Sequence, residues 1–418
     1  MANVVVVGGG FAGLSAAARL AKLRHQVTLV ESTDRLGGRL HGHVVGGHAW
    51  QLDVDSVSLP GVFRDLFRKS GRPLERVLDF TKTEGRRHLF KDGTVLDLPL
   101  GNRGDQHDAI SALFGEDEWS PWVDRYADVW DTIRRTALDE VLPGKAAFAA
   151  PARKLLKPRR TVAALDRDFK DERLAKIVLD PFRLAGQDRR TVPAFLAVGH
   201  YVERSFGRWR FDGGLPGLAG ALEQRLTERK VTVELGESAH GLVRDGEQVT
   251  GVVTDRRTIA ADVVVWCAPT WPEPLPRQRL LPVIPASRTL LTLSADAPAM
   301  PDEVLVHTNP PIRLWTSGEN RWTLAHRSGE DPLDALVRFG LDLRPHVVER
   351  SELTPSDLVS MGHWGWALSS WRTALEIPGV APSGGLYFAG AHAHPGGTLE
   401  GIGLATAAIA AAVGQAPR

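Results

Sequence analysis

The chain has 418 residues, 43% of them hydrophobic and 24% charged, and this length and composition predict a globular protein of two domains. Its 51 basic and 50 acidic residues leave a formal net charge of +1, which provides no long-range field to attract nucleic acid. The single cysteine, Cys267, excludes an internal disulfide and a cysteine-based metal site, and a first strand beginning at Asn3 favours a cytoplasmic protein.

The first predicted elements form a phosphate-binding unit. Asn3–Val7 is a β-branched run typical of a strand buried on both faces, and Leu14–Leu23 is an alanine-rich helix. Between them Gly8, Gly10 and Gly13 follow the G-x-G-x-x-G pattern. These glycines permit a tight turn, close approach of the backbone to a pyrophosphate, and close packing of the helix on the strand. The helix amides then point toward the phosphates.

A second predicted strand, Gln26–Val30, leads into Glu31, 18 residues after Gly13. A carboxylate at this position accepts hydrogen bonds from a ribose hydroxyl and repels a 2′-phosphate. The alternative interpretation of Glu31 is a surface charge at the end of a strand. The unit therefore predicts a dinucleotide site.

The segment from Ser32 to Arg39 reads S-T-D-R-L-G-G-R and contains a second glycine pair. Here the sequence resembles the flavoprotein superfamily of amine oxidases, protoporphyrinogen oxidase and bacterial-type phytoene desaturases. The resemblance implies FAD as the cofactor. It also implies close backbone approach at Gly37 and Gly38 and a contact of Arg39 with the diphosphate, while Arg35 is equally explained as a solvated loop charge.

The resemblance extends to a strand with a D-x-G pattern beside the flavin ring. Gly47–Ser58 fits this strand through Leu52 and Asp53, but Asp55 stands where the family usually has glycine. A carboxylate there changes the space and charge near the ring. Asp55 is therefore a candidate catalytic residue.

The stretch from about 61 to 206 has helical patterns at Gly61–Ser70, Trp119–Asp139 and Thr161–Leu184, with no strand alternation of comparable strength. We expect it to belong to a substrate domain. Basic-apolar stretches in this region, such as Phe63–Arg68 and Arg153–Arg160, fit membrane contact or a solvated amphipathic surface, and we favour the solvated surface.

The chain then returns to the cofactor domain. Gly213 and Gly214 form a predicted turn before a helix at Leu218–Arg229, and short alternating strands follow. The resemblance implies a three-stranded meander here, a hydrogen bond from the backbone at Ala239 to the adenine, and a return to the parallel sheet at Ala261–Val265.

From about 281 to 372 the chain returns to the substrate domain, with predicted strands at Ser287–Ala295 and Arg321–His326 and a helix at Pro332–Leu343. Trp364 and Trp366 resemble family positions near the flavin, where they would form a wall of a flat apolar cavity. Core packing is the alternative explanation for either tryptophan.

The last segment resembles the flavin's second contact region. A strand ends in L-Y-F-A-G at Gly390, and a glycine-containing loop leads to a helix that starts near Thr398. The resemblance implies contacts from these residues and an amide of Leu399 beside the flavin N1 and O2. His394 is a candidate polar contact at the flavin or substrate, or a loop histidine bonded to the backbone. His392 and His394 lack an evident third ligand, so we expect no metal.

The predicted fold class is α/β, with a Rossmann-type FAD-binding domain (parallel sheet plus β-meander) and a discontinuous α+β substrate domain. The FAD-binding domain comprises residues 1–60, 207–280 and 375–418, and the substrate domain comprises residues 61–206 and 281–374. The predicted FAD contacts are Gly8, Gly10, Phe11, Ala12, Gly13, Glu31, Ser32, Gly37, Gly38, Arg39, Ala239, Gly390, Ala391, Gly397, Thr398 and Leu399.

Three functions are compatible with these features. The first is a dehydrogenase or desaturase that removes hydride from an apolar or polycyclic small molecule. The second is an amine or amino-acid oxidase that releases hydrogen peroxide, which the absence of lysine from Ser287–Leu290 makes less favourable. The third is a non-redox binding protein like Rab escort and GDP-dissociation proteins. The sequence leaves the substrate, the electron acceptor and the oligomeric state open.

Overall fold

The computed structural model describes residues 1–135, 151–274, 281–371, 373, 384–393 and 397–417. The helices in these ranges are α1 (Phe11–Lys22), α2 (Pro60–Ser70), α3 (Arg103–Phe114), α4 (Trp119–Asp124), α5 (Ala127–Ile133), α6 (Ala152–Leu156), α7 (Glu172–Leu184), α8 (Val198–Phe206), α9 (Gly214–Glu228), α10 (Pro332–Val337), α11 (Pro355–Ser360) and α12 (Leu399–Val413). The strands are β1 (Asn3–Val7), β2 (Gln26–Glu31), β3 (His43–Val45), β4 (His48–Trp50), β5 (Ser56–Val57), β6 (Phe80–Lys82), β7 (Gly85–Leu89), β8 (Val95–Pro99), β9 (Trp209–Phe211), β10 (Thr232–Leu235), β11 (Ala239–Asp245), β12 (Gln248–Thr254), β13 (Thr258–Ala260), β14 (Val263–Trp266), β15 (Pro282–Val283), β16 (Ser287–Leu293), β17 (Glu303–Val306), β18 (Ile312–Gly318), β19 (Arg321–His326), β20 (Val347–Leu353), β21 (Gly365–Trp366) and β22 (Leu386–Phe388).

A five-stranded parallel sheet has the strand order β10-β2-β1-β14-β22 and has other elements packed on both of its faces. The central strand β1 pairs in parallel with β2 on one side and with β14 on the other. Its four valines, Val4 to Val7, are all buried. A strand covered on both faces needs this unbroken apolar run, which is why the sequence predicts β1 with its observed bounds.

Different elements cover the two faces of this sheet. Helices α1, α2, α9 and α12 share one apolar cluster with it, which includes Leu14, Phe63, Leu218 and Ile409. The meander β11-β12-β13 covers the opposite face through a second cluster. In such a sheet the ligand crevice lies beyond the carboxyl ends of the strands, at the point where the chain crosses from one side of β1 to the other.

A second sheet has the order β20-β16-β19-β18-β17-β7-β8 and is antiparallel except between β17 and β7. It corrects the prediction that residues 61–206 have no strand alternation of comparable strength, because β7 and β8 of this sheet lie in that stretch, as does β6 of a three-stranded sheet with β5 and β9. The arginine-rich sequence of β7 does not indicate a strand, because Arg86 is buried and is neutralised by two carboxylates distant in sequence. These are Glu203, at 3.1 Å, and Glu303.

Helices α3 to α8 pack around a third cluster, in which Trp119 and Trp122 are fully buried. The helix predicted from Trp119 is interrupted after Asp124, and the part of that prediction beyond residue 135 lies outside the described residues. The predicted helix at Thr161–Leu184 is also divided, into a 3-10 helix and α7. In the described ranges no helix has the length and hydropathy that a membrane span needs.

Two other predicted elements are shorter than the sequence indicates. The strand predicted at Gly47–Ser58 is only β4 and β5, because the intervening backbone has no neighbouring strand in the described residues. The helix predicted at Pro332–Leu343 ends at Val337. Three residues later Gly340 has a φ of 81°, a conformation that ends a helical path.

Candidate cofactor and substrate site

The first glycine loop joins β1 to α1 and leaves the start of the helix open. Gly8 has a φ of 98°, and a Cβ at Gly13 would lie 1.8 Å from the Gly8 carbonyl oxygen. At Gly10 a Cβ would meet nothing within 4 Å. The buried Phe11 and Ala12 begin α1 directly afterwards. The loop therefore offers backbone amides and free space where a pyrophosphate would lie.

The second glycine segment lies against the first. The Gly37 amide donates to the Gly9 carbonyl over 2.9 Å, and a Cβ at Gly38 would lie 3.3 Å from the Gly10 Cα. Gly37 and Gly38 both have positive φ values, 92° and 51°. A side chain at Gly38 would fill the space beside Gly10, and one at Gly37 would collide with the His41 ring. The structure thus brings together the two segments that the sequence predicts to face the phosphates.

Glu31 lies at the end of β2 beside this loop. One carboxylate oxygen accepts the Gly9 amide at 2.6 Å, and the other accepts the Thr33 amide at 2.9 Å and the Ser32 hydroxyl at 3.2 Å. The Thr33 hydroxyl also donates to this second oxygen at 2.9 Å, whereas the oxygen bound to Gly9 accepts that one amide among the described residues and retains an acceptor position for a ribose hydroxyl. The Glu237 amide donates to the Glu31 carbonyl at 3.0 Å, which places the start of β11, with Ala239, near the same edge.

Arg39 has a carboxylate partner within the chain. Its guanidinium donates to one Asp53 oxygen over 2.6 Å and 3.2 Å. His363 lies 3.4 Å and Arg288 3.9 Å from the same carboxylate. Burial opposes ionisation of Asp53, but Arg39, His363 and Arg288 hold the pKa of its carboxyl well below its usual range. The cation predicted to contact the diphosphate thus already has a half-buried carboxylate as its partner.

Asp55 is buried and forms an ion pair with Arg210 at 3.0 Å. Arg210 also binds Asp302 at 2.6 Å. Burial raises the pKa of the Asp55 carboxyl, and the Arg210 cation opposes this rise. The observed partner of this candidate catalytic carboxylate is therefore a structural arginine of β9.

The C-terminal motif returns to the start of α1. Gly390, with a φ of 120°, lies where a Cβ would be 3.3 Å from the Cys267 carbonyl oxygen and 3.8 Å from the Ala12 Cβ. Ala391 follows Gly390 directly. This arrangement places the last strand of the sheet and the residues after it beside the first glycine loop.

Helix α12 begins with a side-chain cap. The Thr398 hydroxyl accepts the Gly401 amide at 3.1 Å, and Gly397 precedes it with a φ of 93°. Since the first amides of a helix have no partner within it, the Leu399 amide is available to an acceptor outside the helix. Its dipole favours negative charge at that position.

Trp364, Trp366 and His392 form an aromatic cluster beside the C-terminal motif. The Trp364 ring lies 3.9 Å from the His392 ring and 5.0 Å from the Trp366 ring, and the Trp366 Nε1 donates to the His392 carbonyl at 2.7 Å. Burial, assisted by the charge of Arg39, lowers the pKa of His392 to about 4. This wall is therefore aromatic and uncharged near neutral pH, with the Trp364 and His392 rings tilted by 30° and the Trp366 ring nearly perpendicular to Trp364, at 81°.

The sequence interpretation missed one member of this cluster, His392, and a residue that supports it, Gln187. His392 was considered only as a metal ligand, although its position directly after the L-Y-F-A-G-A run is a usable signal. Its buried Nδ1 has no hydrogen-bond partner among the described residues. Gln187 donates to the Trp366 carbonyl at 3.1 Å and accepts the Leu368 amide at 3.0 Å, and nothing local in sequence marks it. His394 lies outside the described residues.

These features fit a flavin dinucleotide. The backbone amides and open space at Gly10, the carboxylate of Glu31 and the first amides of α1 and α12 provide for the phosphates and ribose. The buried Nδ1 of His392, which has no partner among the described residues, provides a polar contact at the aromatic end. Within the described ranges, no group of three His, Cys, Asp or Glu side chains is placed to hold a metal ion.

The family model of flavin containing amine oxidoreductases matches residues 11–294. The chain belongs to this family. The predicted resemblance, the α/β FAD-binding fold and FAD as cofactor are thereby confirmed.

The chain is 26% identical over 273 residues to the 4,4'-diaponeurosporene oxygenase of Staphylococcus aureus (strain USA300), covering 63% of this chain and 55% of that one. It thus spans about half the length of the curated relatives it matches.

Among solved structures, putrescine oxidase bound to putrescine has a TM-score of 0.69 at 17% identity, covering 99% of this chain and 98% of that one. A Rab GDI from Plasmodium falciparum has a TM-score of 0.56 at 11% identity, covering 100% and 99%. These similarities show a shared fold alone.

Proposed function

We propose that this FAD-dependent oxidoreductase removes hydride from a C–H bond of an apolar or polycyclic small molecule. The observation that carries the proposal is the wall of Trp364, Trp366 and an uncharged His392. An aromatic surface without a charge of its own contacts an apolar ring or chain over its whole area and gives a carboxylate no ionic partner. The S. aureus relative, named for 4,4'-diaponeurosporene, is consistent with such a substrate.

The residues of this chain bind, orient and exclude water in the proposed reaction. The loops at Gly10 and Gly38 hold the phosphates, Glu31 the ribose, and the Leu399 amide stabilises negative charge. When bound, FAD supplies the two-electron acceptor for the hydride. We assign no general base, because burial lowers the pKa of His392 to about 4 and its neutral imidazole is therefore a weak base near pH 7.

An amine oxidase is the second candidate, favoured by the family match. Two observations weigh against it. The strand β16 offers Arg288 where a lysine is expected for that activity, and the Arg288 Nε donates to the Leu52 carbonyl at 2.8 Å. The second observation is that Arg288 and Arg39 both lie beside a single carboxylate, Asp53. This excess of positive charge is poorly suited to attract a protonated amine.

The test is anaerobic reduction of the purified holoprotein. Amines, amino acids, polyenes and polycyclic compounds are added in turn while the oxidised flavin band at about 450 nm is followed. We expect an apolar compound to bleach it. Rapid bleaching by a simple amine alone would overturn the proposal in favour of the second candidate.

A matched pair of variants connects the activity to the aromatic wall. Trp364→Leu is expected to slow bleaching by the apolar compound about tenfold, the effect of losing about 1.4 kcal/mol of contact energy. Trp130→Leu, on α5 against Phe206, removes the same ring away from the wall and is expected to leave the rate unchanged. Equal rates in the two variants would contradict the assignment of the wall.

A further inference from the structure

A cavity of about 540 Å³ lies between α7, α10, the loop after β17 and the turn joining β7 to β8. Its lining is rich in cations, which are Lys91, Lys176, Arg183, Arg189 and Arg338. None of these side chains belongs to the FAD or substrate site described above. The cavity therefore requires its own explanation.

The cations exceed the carboxylates that neutralise them. Three pairs are formed: Lys176 with Glu172 at 3.2 Å, Arg183 with Asp180 at 2.9 Å, and Arg338 with Glu330 at 2.8 Å. In the part of the chain that the structure describes, Lys91 and Arg189 have no such carboxylate. Five cations against three paired carboxylates leave an excess of two positive charges in the cavity.

Buried groups behind the lining of this cavity fix the position of Arg183. Asp180, which is 1% exposed, holds Arg183 with one oxygen and binds the His307 Nδ1 with the other at 2.8 Å. The His307 Nε2 in turn bonds to the His88 Nδ1 at 3.0 Å. Arg183 also donates to Asn309, so among the described residues two of its five N–H groups are used and the other three can bond a ligand.

One side of the cavity is apolar. Ile312, Ala335 and Phe339 line it and belong to the cluster beneath the seven-stranded sheet. An inorganic ion would not contact this surface. A ligand that uses the whole cavity therefore combines an anionic group with an apolar part.

We propose that this cavity binds an organic phosphate, a phosphate monoester with an apolar substituent. The dianion of a phosphate monoester matches the excess of two positive charges, whereas a carboxylate would neutralise only half of it. Arginine guanidinium groups bond phosphate oxygens in pairs, and lysine adds a mobile charge. The site is separate from the FAD phosphates and does not depend on the proposed substrate.

The test is calorimetric titration of the holoenzyme, in which FAD occupies the dinucleotide site, with hexyl phosphate. We expect saturable binding of one molecule per chain. In the double variant Lys91→Gln with Arg189→Gln, we expect the Kd to rise about tenfold or more, as expected for the loss of charge-assisted hydrogen bonds. Inorganic phosphate is expected to bind more weakly because it lacks the apolar contact.

The control removes the same charge elsewhere. Arg153→Gln with Lys154→Gln alters two exposed residues of α6 and is expected to change the Kd by less than about twofold. Equal weakening in the two double variants would show a general charge effect and overturn the site, as would absence of saturable binding to the wild type.

Vesicles of phosphatidylcholine containing phosphatidic acid identify the source of the phosphate ester. Sedimentation of the wild type with these vesicles, lost in the Lys91 and Arg189 variant, would support the site with a lipid headgroup as its ligand. Hexyl phosphate binding without sedimentation would support the site with a free ester.

Discussion

A methyl group would have opposite consequences at two glycines of the first loop. At Gly13 a Cβ would lie 1.8 Å from the Gly8 carbonyl oxygen, which no rotation of a side chain relieves. At Gly10 the backbone has a φ of −72° and a Cβ would meet nothing within 4 Å. Gly13 is therefore required by the fold, whereas Gly10 is required by the ligand that occupies the space in front of the loop.

We therefore expect Gly10→Ala to weaken FAD binding and Gly13→Ala to destabilise the fold. Gly10→Ala should fold with an unchanged melting temperature in the apo form, and its Kd for FAD should rise at least about tenfold. Gly13→Ala should lose about 1–3 kcal/mol of unfolding free energy through overpacking. Thermal unfolding of apoprotein and fluorescence titration with FAD measure the two effects. A Gly10→Ala protein with wild-type affinity would remove Gly10 from the cofactor site.

The pair of Arg39 and Asp53 makes a separate prediction. If Arg39 contacts the FAD diphosphate, Arg39→Gln should raise the Kd for FAD about tenfold, the effect of a charge-assisted hydrogen bond. Asp53→Asn removes the anion that holds the guanidinium at 2.6 Å and should leave the Kd unchanged or lower it. FAD titration of both variants is the measurement. An equal rise in both would mean that the pair supports the fold alone.

At the scale of elements, α12 depends on one hydroxyl for its start. Thr398 caps the helix by accepting the Gly401 amide, while Glu400, on its first turn, accepts the Ser58 hydroxyl at 2.9 Å. The cap fixes the direction in which the free amides point. Its loss should therefore affect both helix stability and the flavin contact.

Thr398→Val is expected to cost about 1 kcal/mol of unfolding free energy and to weaken FAD binding as well. The matched control is Asn102→Ala on α3, where Asn102 caps the amides of Gly104 and Asp105 at 2.9 Å and 3.4 Å. It should cost about the same stability with no change in FAD affinity. Urea unfolding and FAD titration separate the two outcomes. FAD affinity unchanged by Thr398→Val would contradict the role of α12.

The elements that the sequence predicts well are those with a local signal. β1 shows an unbroken apolar run, and the motif at Gly8, Gly10 and Gly13 carries its own turn and helix start. β7 was missed because its alternation depends on Arg86, whose burial is explained only by distant carboxylates. Gln187 was missed for the same reason, since its partners lie about 180 residues away. Long-range polar pairing leaves no periodic pattern to detect.

At the scale of the whole molecule, a buried ion cluster joins β7, α8, β17 and β18. Arg86 binds Glu203 and Glu303, and Glu303 also binds Arg313 at 2.7 Å. Burial disfavours the charged form of Glu303, but Arg313 and Arg86 lower the pKa of its carboxyl from the ordinary 4.5 to about 2. The cluster therefore stabilises the fold only where this carboxylate is ionised.

The lowered pKa of Glu303 determines how the free energy of unfolding changes with pH. Above about pH 4.5 the contribution of Glu303 is fully present, and it is lost as the pH falls toward about 2. Glu303→Gln should lower the unfolding free energy by about 3 kcal/mol at neutral pH and flatten its decline in that window. Asp97→Asn, in the exposed pair with Arg87, should cost less than about 1 kcal/mol. Urea unfolding across pH tests both, and equal costs would contradict the cluster's importance.

The order of strands in the parallel sheet has a consequence for biosynthesis. β1 pairs with β14 through Val4 and Val263, and β14 pairs with β22 through Val264 and Leu386. Contacts so distant along the chain form late, because a ribosome must first release the intervening residues. A nascent chain that ends before Leu386 has no neighbour for the outer edge of β14 and no α12 amides. Flavin insertion should therefore follow translation, and an arrested chain of that length should remain colourless in the presence of FAD.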